Sequence, residues 1–384
     1  MLLKFIVRAF LTICVTFCCA SCSMLGDPDQ SFSWDLPGNF PAPRVPEDNP
    51  MTRAKVELGR HLFYDKRMSV NGTTACATCH QQKLAFTDGK ALAVGATGES
   101  HPRGSMSLAN VGYVPRLTWA NPLMKRLEHQ ALVPMFGSDP VEMGLGDKKV
   151  ELIKTFKDDP RYQKLFARAF PSNTDPVTLD HITKALASFQ RTLISGDAAF
   201  DRFSRGERAA LGADAQRGMA LFFSERLECF HCHNGFNFTD SVDHGNKSLG
   251  EVSFHNTGLY NLDGKGAYPK RNPGAMAITQ KASDMGRFRA PTLRNVAVTA
   301  PYMHDGSIKT LEEVIDHYAA GGRLIEEGPH AGNGAKNPNK SRFIPGFILR
   351  PNEKTDLIAF LNSLTDYKFL KDERFADPFE PTIP

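Results

Sequence analysis

The chain has 384 residues, 41% of them hydrophobic and 23% charged, with a net charge of +4. This is ordinary globular composition, long enough for about two domains. The small positive charge, with no basic run interleaved with aromatics, argues against nucleic acid as a partner.

In chain order, the first feature is a leader. Lys4 and Arg8 form a charged start, Ala9 to Cys19 an apolar stretch too short to span a bilayer, and Ala20 and Ser21 precede Cys22. Residues 1–22 therefore read as an export signal. Cys19-Ala20-Ser21-Cys22 resembles a bacterial lipobox with Cys22 as the lipid-anchored residue, although Cys19 stands where Leu is usual. A plain cleaved signal peptide is the alternative. Either way the expected location is the periplasm, with membrane anchoring in the lipoprotein case. Residues 23–50 carry six prolines and read as an extended tether. A helix is predicted from near Thr52 to Tyr64, with Val56, Gly59, Leu62 and Phe63 as its inner stripe.

Cys76-Ala77-Thr78-Cys79-His80 follows, and the pattern returns at Cys229-Phe230-His231-Cys232-His233. C-x-x-C-H is the attachment signature of haem c. Two thiols add across the vinyl groups of one porphyrin, and the adjacent His offers its imidazole to the iron. Positions i, i+3 and i+4 share one face of a helical turn, so all three reach one macrocycle. A zinc knuckle would need a closed set of four ligands, and a disulfide would not need a His after each pair. The other four cysteines lie in the leader, so the mature body has none to spare for a structural disulfide. The expected cofactors are two covalent haems.

The surroundings of the two motifs also repeat. Gly59-x-x-Leu62-Phe63 matches Gly218-x-x-Leu221-Phe222, Phe86-Thr87-Asp88 matches Phe238-Thr239-Asp240, and Ser107 to Val111 matches Thr292 to Val296. The predicted fold is mainly α, with two tandem cytochrome-c-like haem domains related by internal duplication. The first haem domain spans 51–205 and the second 206–384, with a long insertion from Asp240 to Met285. Helices are predicted at Thr178–Leu193, after Thr310 and at about Asn352–Leu364, a surface loop from Gly321 to Asn339, and an extended Pro-rich tail. Thr310 and Glu313 form a capping box, and Leu311, Val314, Ile315 and Tyr318 share one face of the helix it opens.

The tandem motifs, Phe-Thr-Asp after the first, and the run Ala290 to Gly306 (APTLRNVAVTAPYMHDG) resemble the bacterial di-haem cytochrome c peroxidase and MauG superfamily, from about Pro46 to Leu364. Ala85 to Gly89 and Met106 to Val111 look closest to its MbnH-like branch, which acts on a copper-linked partner protein.

The resemblance assigns roles residue by residue. His80 would hold the iron of the first haem, and His233 with Tyr318 that of the second. On pattern alone Tyr318 is a core aromatic with its hydroxyl bonded to backbone. The family carries Met there in one branch and Tyr in the MauG-like one. A phenolate favours oxidised iron, whereas a thioether raises the potential. The distal His of other peroxidases, in a Gly-His pair, corresponds to Gly95-Ala96, which has no ligand; His101 nearby reads as a loop residue. Gln130, Pro134 and Glu142 match the distal pocket, with Glu142 as the acid–base and Gln130 as a hydrogen-bond donor. Met135 and Met143 flank that pocket, as packing or as oxidation targets. Trp119 matches the inter-haem tryptophan, although a large aromatic there is otherwise ordinary packing. Thr299 and Pro301 match two carbonyl donors to a calcium ion between the haems, while the side-chain donor falls at Gly104 and is lost. His304, His231 and Arg294 read as residues bracing a haem or its propionates.

Two functions follow from the resemblance. The first is a MauG-like oxidase in which hydrogen peroxide drives the haem pair to a high-valent, bis-ferryl-like state. That state would oxidise a Trp or Tyr side chain of a partner protein, with Trp to kynurenine on a copper-associated partner as the MbnH-like case. The alternative is a periplasmic cytochrome c peroxidase that reduces hydrogen peroxide with electrons from a small cytochrome or cupredoxin. A plain di-haem electron carrier, with both irons six-coordinate, would leave Gln130, Pro134 and Glu142 without a purpose.

Overall fold

The computed structural model describes residues 31–38, 40–245 and 252–380. The export signal and Cys22 lie outside the described residues. The architecture is mostly helical, and among the described residues the only paired strands are β1 (Leu324–Ile325) and β2 (Gly332–Asn333), which are antiparallel. The helices of six residues or more are α1 (Arg53–Tyr64), α2 (Lys149–Lys157), α3 (Pro160–Ala169), α4 (Leu179–Arg191), α5 (Ala199–Ser204), α6 (Ala213–Phe222), α7 (Leu311–Ala319) and α8 (Glu353–Asn362). Among the described residues no helix is long and apolar enough to cross a membrane.

Local chemistry sets the starts of the main helices. The hydroxyls of Thr52, Thr178 and Thr310 accept hydrogen bonds from the N–H groups of Lys55, His181 and Glu313. Each satisfies a donor that the first turn would leave orphaned. The Thr310–Glu313 capping box is present as the sequence predicts. The predicted helices after Thr52, Thr178 and Asn352 form within a residue or two of their expected ends.

Two helix pairs carry the two cores. α1 packs on α4 around Leu58, Leu62, Phe63, Phe86 and Phe189, all essentially sealed from solvent. α6 packs on α8 around Phe222, Phe238, Phe360 and Leu364. Each such side chain contributes about 1.5–3 kcal/mol of burial. The matched glycines explain how the helices come so close. A Cβ on Gly59 would sit 2.0 Å from the Ala185 carbonyl oxygen, and one on Gly218 1.9 Å from that of Asp356. Each glycine lets backbone meet backbone. A third cluster joins the Asp240–Met285 insertion to the first half, with Tyr260, Tyr268, Phe288 and Ile308 against Trp119 and Ala120.

Three segments do more than the sequence suggests. Between 31 and 50 the chain is extended, as its prolines require, but it lies on the body: Asn49 is fully buried and donates to Glu128 at 2.8 Å, and Phe40 stacks edge-on with Phe236. The Gly321–Asn339 stretch is not wholly a surface loop. Gly334 and Asn337 are buried, and Asn337 Nδ2 donates to the Tyr260 carbonyl at 2.7 Å. The C-terminal segment turns back into the first core instead of running over the surface. Phe369, Leu370 and Phe375 are buried there, and the hydroxyl of Tyr64 donates to the Phe375 carbonyl at 2.6 Å.

Candidate active site

The two C-x-x-C-H motifs occupy equivalent places, each just after the helix with the close-contact glycine. Cys76–Cys79 forms one helical turn, and Cys229–His231 a 3-10 turn. In both, the N–H of the motif histidine bonds at 3.0 Å to the carbonyl of the first cysteine. None of the four motif thiols is in a disulfide. His80 Nδ1 bonds the Phe86 carbonyl at 2.8 Å and His233 Nδ1 that of Phe238 at 3.1 Å. Burial pushes both imidazoles down, towards the neutral form. With Nδ1 engaged as donor, Nε2 keeps its lone pair for a metal.

The Phe-Thr-Asp repeat thus has a local cause. Phe86 and Phe238 both adopt positive φ (63° and 48°), which turns their carbonyls back to the histidines. Asn110 and Asn295 are matched in the same way, with φ of 59° and 60°. Asn110 Oδ1 accepts from Ser195 N and Asn295 Oδ1 from Asp366 N, each at 2.8 Å, tying each motif region to the chain just beyond α4 and α8.

A cavity of about 260 Å³ opens beside the second motif. Cys229, Cys232, His233 and Tyr318 all line it, with Leu293, Val296 and Leu361 among its apolar walls. α7 brings Tyr318 there, on the face shared with Leu311, Val314 and Ile315. Burial pushes the phenol well above its ordinary range, so the bare side chain is neutral and only a nearby cation would favour phenolate. These residues fit a covalently held haem: paired thiols, an oriented imidazole, a mainly apolar pocket and a phenol oxygen donor in the same cavity. They do not fit a zinc knuckle. Among the described residues, no group of potential ligands gathers both thiols and the histidine of one motif.

At the first motif the distal segment approaches as a backbone clamp. Met143 N donates to the Pro134 carbonyl at 2.8 Å and Leu145 N to that of Met135 at 3.0 Å, which pins Glu142 beside the Leu132–Phe136 turn. Gln130 ends the Leu127–Gln130 turn just before it, half-buried. Burial raises the Glu142 carboxyl. Cys76 and Cys79 are raised chiefly by burial, and the Glu142 charge adds to both. Gly95-Ala96 packs directly on this segment, with Ala96 N donating to the Glu142 carbonyl at 2.6 Å. His101 is half-buried instead of an exposed loop residue, and its Nδ1 is held at 3.0 Å by the N–H of Arg103.

Trp119 lines the second cavity and donates from Nε1 to the Gly104 carbonyl at 2.9 Å, while Gly104 N donates to the His304 carbonyl at 3.0 Å. Thr299 and Pro301 line the same cavity. Of the three bracing candidates, Arg294 forms a buried ion pair with Asp201 at 2.8 and 2.9 Å and serves the scaffold. His231 stacks on Phe343 and pairs with Glu228 at 2.7 Å, half-exposed. His304 is buried, stacks on Phe288 with ring centres 3.7 Å apart, and lines the cavity.

Two features had no signal in the sequence. His255, from the insertion, pairs with Asp240 at 2.6 Å against Cys232. Burial lowers its imidazole, but Asp240 and the Cys232 sulfur beside it outweigh that and raise it to about 10. A thioether at Cys232 would leave only the Asp240 part. Arg289 is the other, buried on the cavity wall. His255 depends on the insertion folding over the second motif, and Arg289 on the Met106–Trp119 stretch of the first half packing against it, which no local pattern announces.

Helical halves each presenting two thiols and a backbone-oriented histidine define a di-haem c-type oxidoreductase. The chain belongs to the di-haem cytochrome c peroxidase and MauG family, whose profile matches residues 53–209. It is 36% identical to the methylamine utilization protein MauG of Methylorubrum extorquens over 355 residues, covering 91% of this chain and 90% of that one. It is 32% identical to the cytochrome c551 peroxidase of Pseudomonas aeruginosa over 266 residues, covering 69% and 72%. Among solved structures, a MauG-like protein associated with microbial copper homeostasis superposes with a TM-score of 0.89 at 50% identity, covering 91% of this chain and all of that one. The diheme peroxidase BthA of Burkholderia thailandensis shares the fold, with a TM-score of 0.63 at 20% identity.

Proposed function

We propose that the chain is a MauG-like oxidase: it uses hydrogen peroxide to remove electrons from a Trp or Tyr side chain of a partner protein. The observation that carries this reading is the asymmetry of the two sites. Tyr318 lines one cavity with Cys229, Cys232 and His233, whereas Gly95-Ala96, packed on Glu142 at the first site, carries no side chain that could bind iron. Bound haem supplies iron that accepts oxidising equivalents from peroxide. The chain's own residues do the rest. Cys76, Cys79 and His80 hold the first haem, and Cys229, Cys232, His233 and Tyr318 the second. Glu142, with its raised pKa, takes a proton from peroxide and returns it to the leaving oxygen. Gln130 and Pro134 shape that pocket. Trp119 lies between the halves as the electron bridge.

Calcium, on this reading, binds carbonyls of Thr299 and Pro301, without a side chain from Gly104. The matched glycines, positive-φ phenylalanines and αL asparagines support an internal duplication of the haem domain. The likeness to a protein associated with copper homeostasis supports a copper-associated partner; Trp to kynurenine is the chemistry we propose for it. The proposed location is the periplasm, with Cys22 as lipid anchor. The second reading, a peroxidase fed by a small electron-donor protein, shares the family and both haem sites, and the relatives include both kinds.

The deciding experiment is EPR of the resting ferric protein before and after one equivalent of peroxide, without reductant. One high-spin and one low-spin signal, both lost on peroxide addition, support the oxidase. Two low-spin signals that ignore peroxide until one haem is reduced would establish the peroxidase instead.

A further inference from the structure

Arg289 is 6% exposed, yet none of its hydrogen bonds goes to a carboxylate. Its Nε donates to the Thr118 carbonyl at 3.3 Å, Nη1 to the Ala290 carbonyl at 3.4 Å, and Nη2 to Met106 Sδ at 3.6 Å. All three are long and to neutral acceptors. A guanidinium is always charged under ordinary conditions, and burying it without an anion is costly. The contrast with the chain's other sealed arginines is direct. Arg294 has Asp201, and Arg191 has Glu128 at 2.8 Å. The carboxylate that acts on Arg289 at longer range, Asp240, is already engaged by His255 at 2.6 Å. Burial pushes even this guanidinium down to about 10.

The residue's position says what is missing. Arg289 lines the cavity of the second motif, and its backbone N–H donates to the Trp119 carbonyl at 2.8 Å. His304 lines the same cavity with Nε2 buried and unpartnered. A buried guanidinium with no carboxylate partner and an imidazole nitrogen with no hydrogen bond therefore line one largely apolar cavity with Trp119. A planar fork of donors suits a carboxylate. A haem carries two carboxylates on one edge of an otherwise apolar disc.

We propose that Arg289 is the anion anchor of the second haem, pairing with a propionate carboxylate on the side next to Trp119, with His304 as its companion. The pairing fixes the disc's rotation in the pocket and places a positive charge beside it, raising its reduction potential against the opposite pull of Tyr318. This rests on the second cavity being a haem site, and adds a positioning residue to it. The remaining charged groups on the cavity wall are Asp88, Lys90, Arg226 and Glu228, together with the His255–Asp240 pair.

The test is spectroelectrochemical titration of the holoprotein and of Arg289→Gln and Arg289→Lys. Loss of one nearby positive charge should cut the ferrous-to-ferric ratio of the second haem, at fixed applied potential, by about tenfold. Arg289→Lys should recover most of it, because the charge remains. The first haem should stay within twofold. An unchanged second-haem potential in Arg289→Gln would overturn the proposal. If Arg289→Gln does not assemble, resonance Raman of the propionate bending band in Arg289→Lys against the parent decides: a shifted band supports the contact, an unshifted one overturns it. Inorganic phosphate, added to the parent at constant ionic strength, separates the two sources of carboxylate-like charge. A potential that moves with phosphate means a free anion fills the site and overturns the propionate assignment. A chain carrying no haem at Cys229 and Cys232 would sink both this proposal and the haem site beneath it.

Discussion

Gly95 lies directly on Glu142: a Cβ at Gly95 would sit 2.9 Å from the Glu142 Cα and 2.0 Å from the Val141 carbonyl oxygen. The next residue, Ala96, donates its N–H to the Glu142 carbonyl. The pair that could have delivered a ligand to the first iron is thus fastened to the acid–base segment by backbone alone, and its only side chain is a methyl group. Ala96→His would restore an imidazole at this place. The expected result is conversion of the high-spin ferric signal to low-spin, with peroxide reacting at least about tenfold more slowly until the protein is partly reduced. EPR and stopped-flow absorbance read both; a signal that stays high-spin would mean the Ala96 position does not face the iron.

Glu142→Gln keeps the shape and removes the proton carrier. Peroxide consumption should fall by about 10²–10⁴-fold, the usual range for loss of a positioned acid–base. Burial raises the Glu142 carboxyl, so its deprotonated form appears only above the ordinary carboxylate range. The rate in the parent should therefore rise with pH through that raised value, and the variant should lose this limb. A variant with the parent rate at every pH would remove Glu142 from the chemistry.

Tyr318→Phe leaves the wall of the second cavity apolar and deletes its phenol oxygen. The optical and EPR spectra of the second haem should change, and its potential should rise as the anionic donor is lost. Unchanged spectra would return Tyr318 to the status of a packed aromatic.

Gly218→Ala and Gly59→Ala should each destabilise by about 1–3 kcal/mol or more, because the new methyl meets a helix carbonyl at 1.9–2.0 Å with no flexible side chain to yield. Thermal or urea unfolding of the holoprotein measures this. A loss under 0.5 kcal/mol would show that α6 and α8, or α1 and α4, separate without penalty.

Acid should destabilise the fold through His304 and His317. Both are buried, and burial lowers each to about 4. An unfolded histidine titrates near 6.5. Between these values the unfolded chain binds the additional protons, so stability falls as pH drops from about 6.5 to about 4. Each contributes on the order of 3 kcal/mol over that window. Denaturation curves at pH 7 and pH 4.5 on His317→Gln and the parent separate this contribution from that of the carboxylates. Equal acid sensitivity in both would exclude His317.

The sequence made the helices and the two C-x-x-C-H turns legible because both depend on short-range pattern. Threonine caps, an apolar stripe and a pentapeptide each act within one turn. The Phe-Thr-Asp repeat was legible as a repeat but not as a cause; that its phenylalanines twist their carbonyls onto His80 and His233 needs three dimensions. The His255–Asp240 pair and Arg289 were not legible at all. Each is defined by contacts with distant stretches of chain, the insertion for His255 and residues 106–119 for Arg289, and a lone His or Arg in a loop carries no spacing to read. The tether differs for the same reason. Prolines predict extended chain correctly, but they say nothing about the surface on which Asn49 and Phe40 lie.

The C-terminal return has a consequence for how the molecule comes into being. Phe369 and Phe375 complete the core that surrounds the first motif, and Gln82 Nε2 holds the Phe369 and Asp372 carbonyls at 3.1 and 2.8 Å. A polypeptide is made from its other end. The core around the first motif therefore cannot close until residues 369–375 have emerged, long after the thiols of Cys76 and Cys79. Until then the first pocket stays loosely walled while the second half assembles, a sequence of events that leaves the earlier site open to its cofactor for longest.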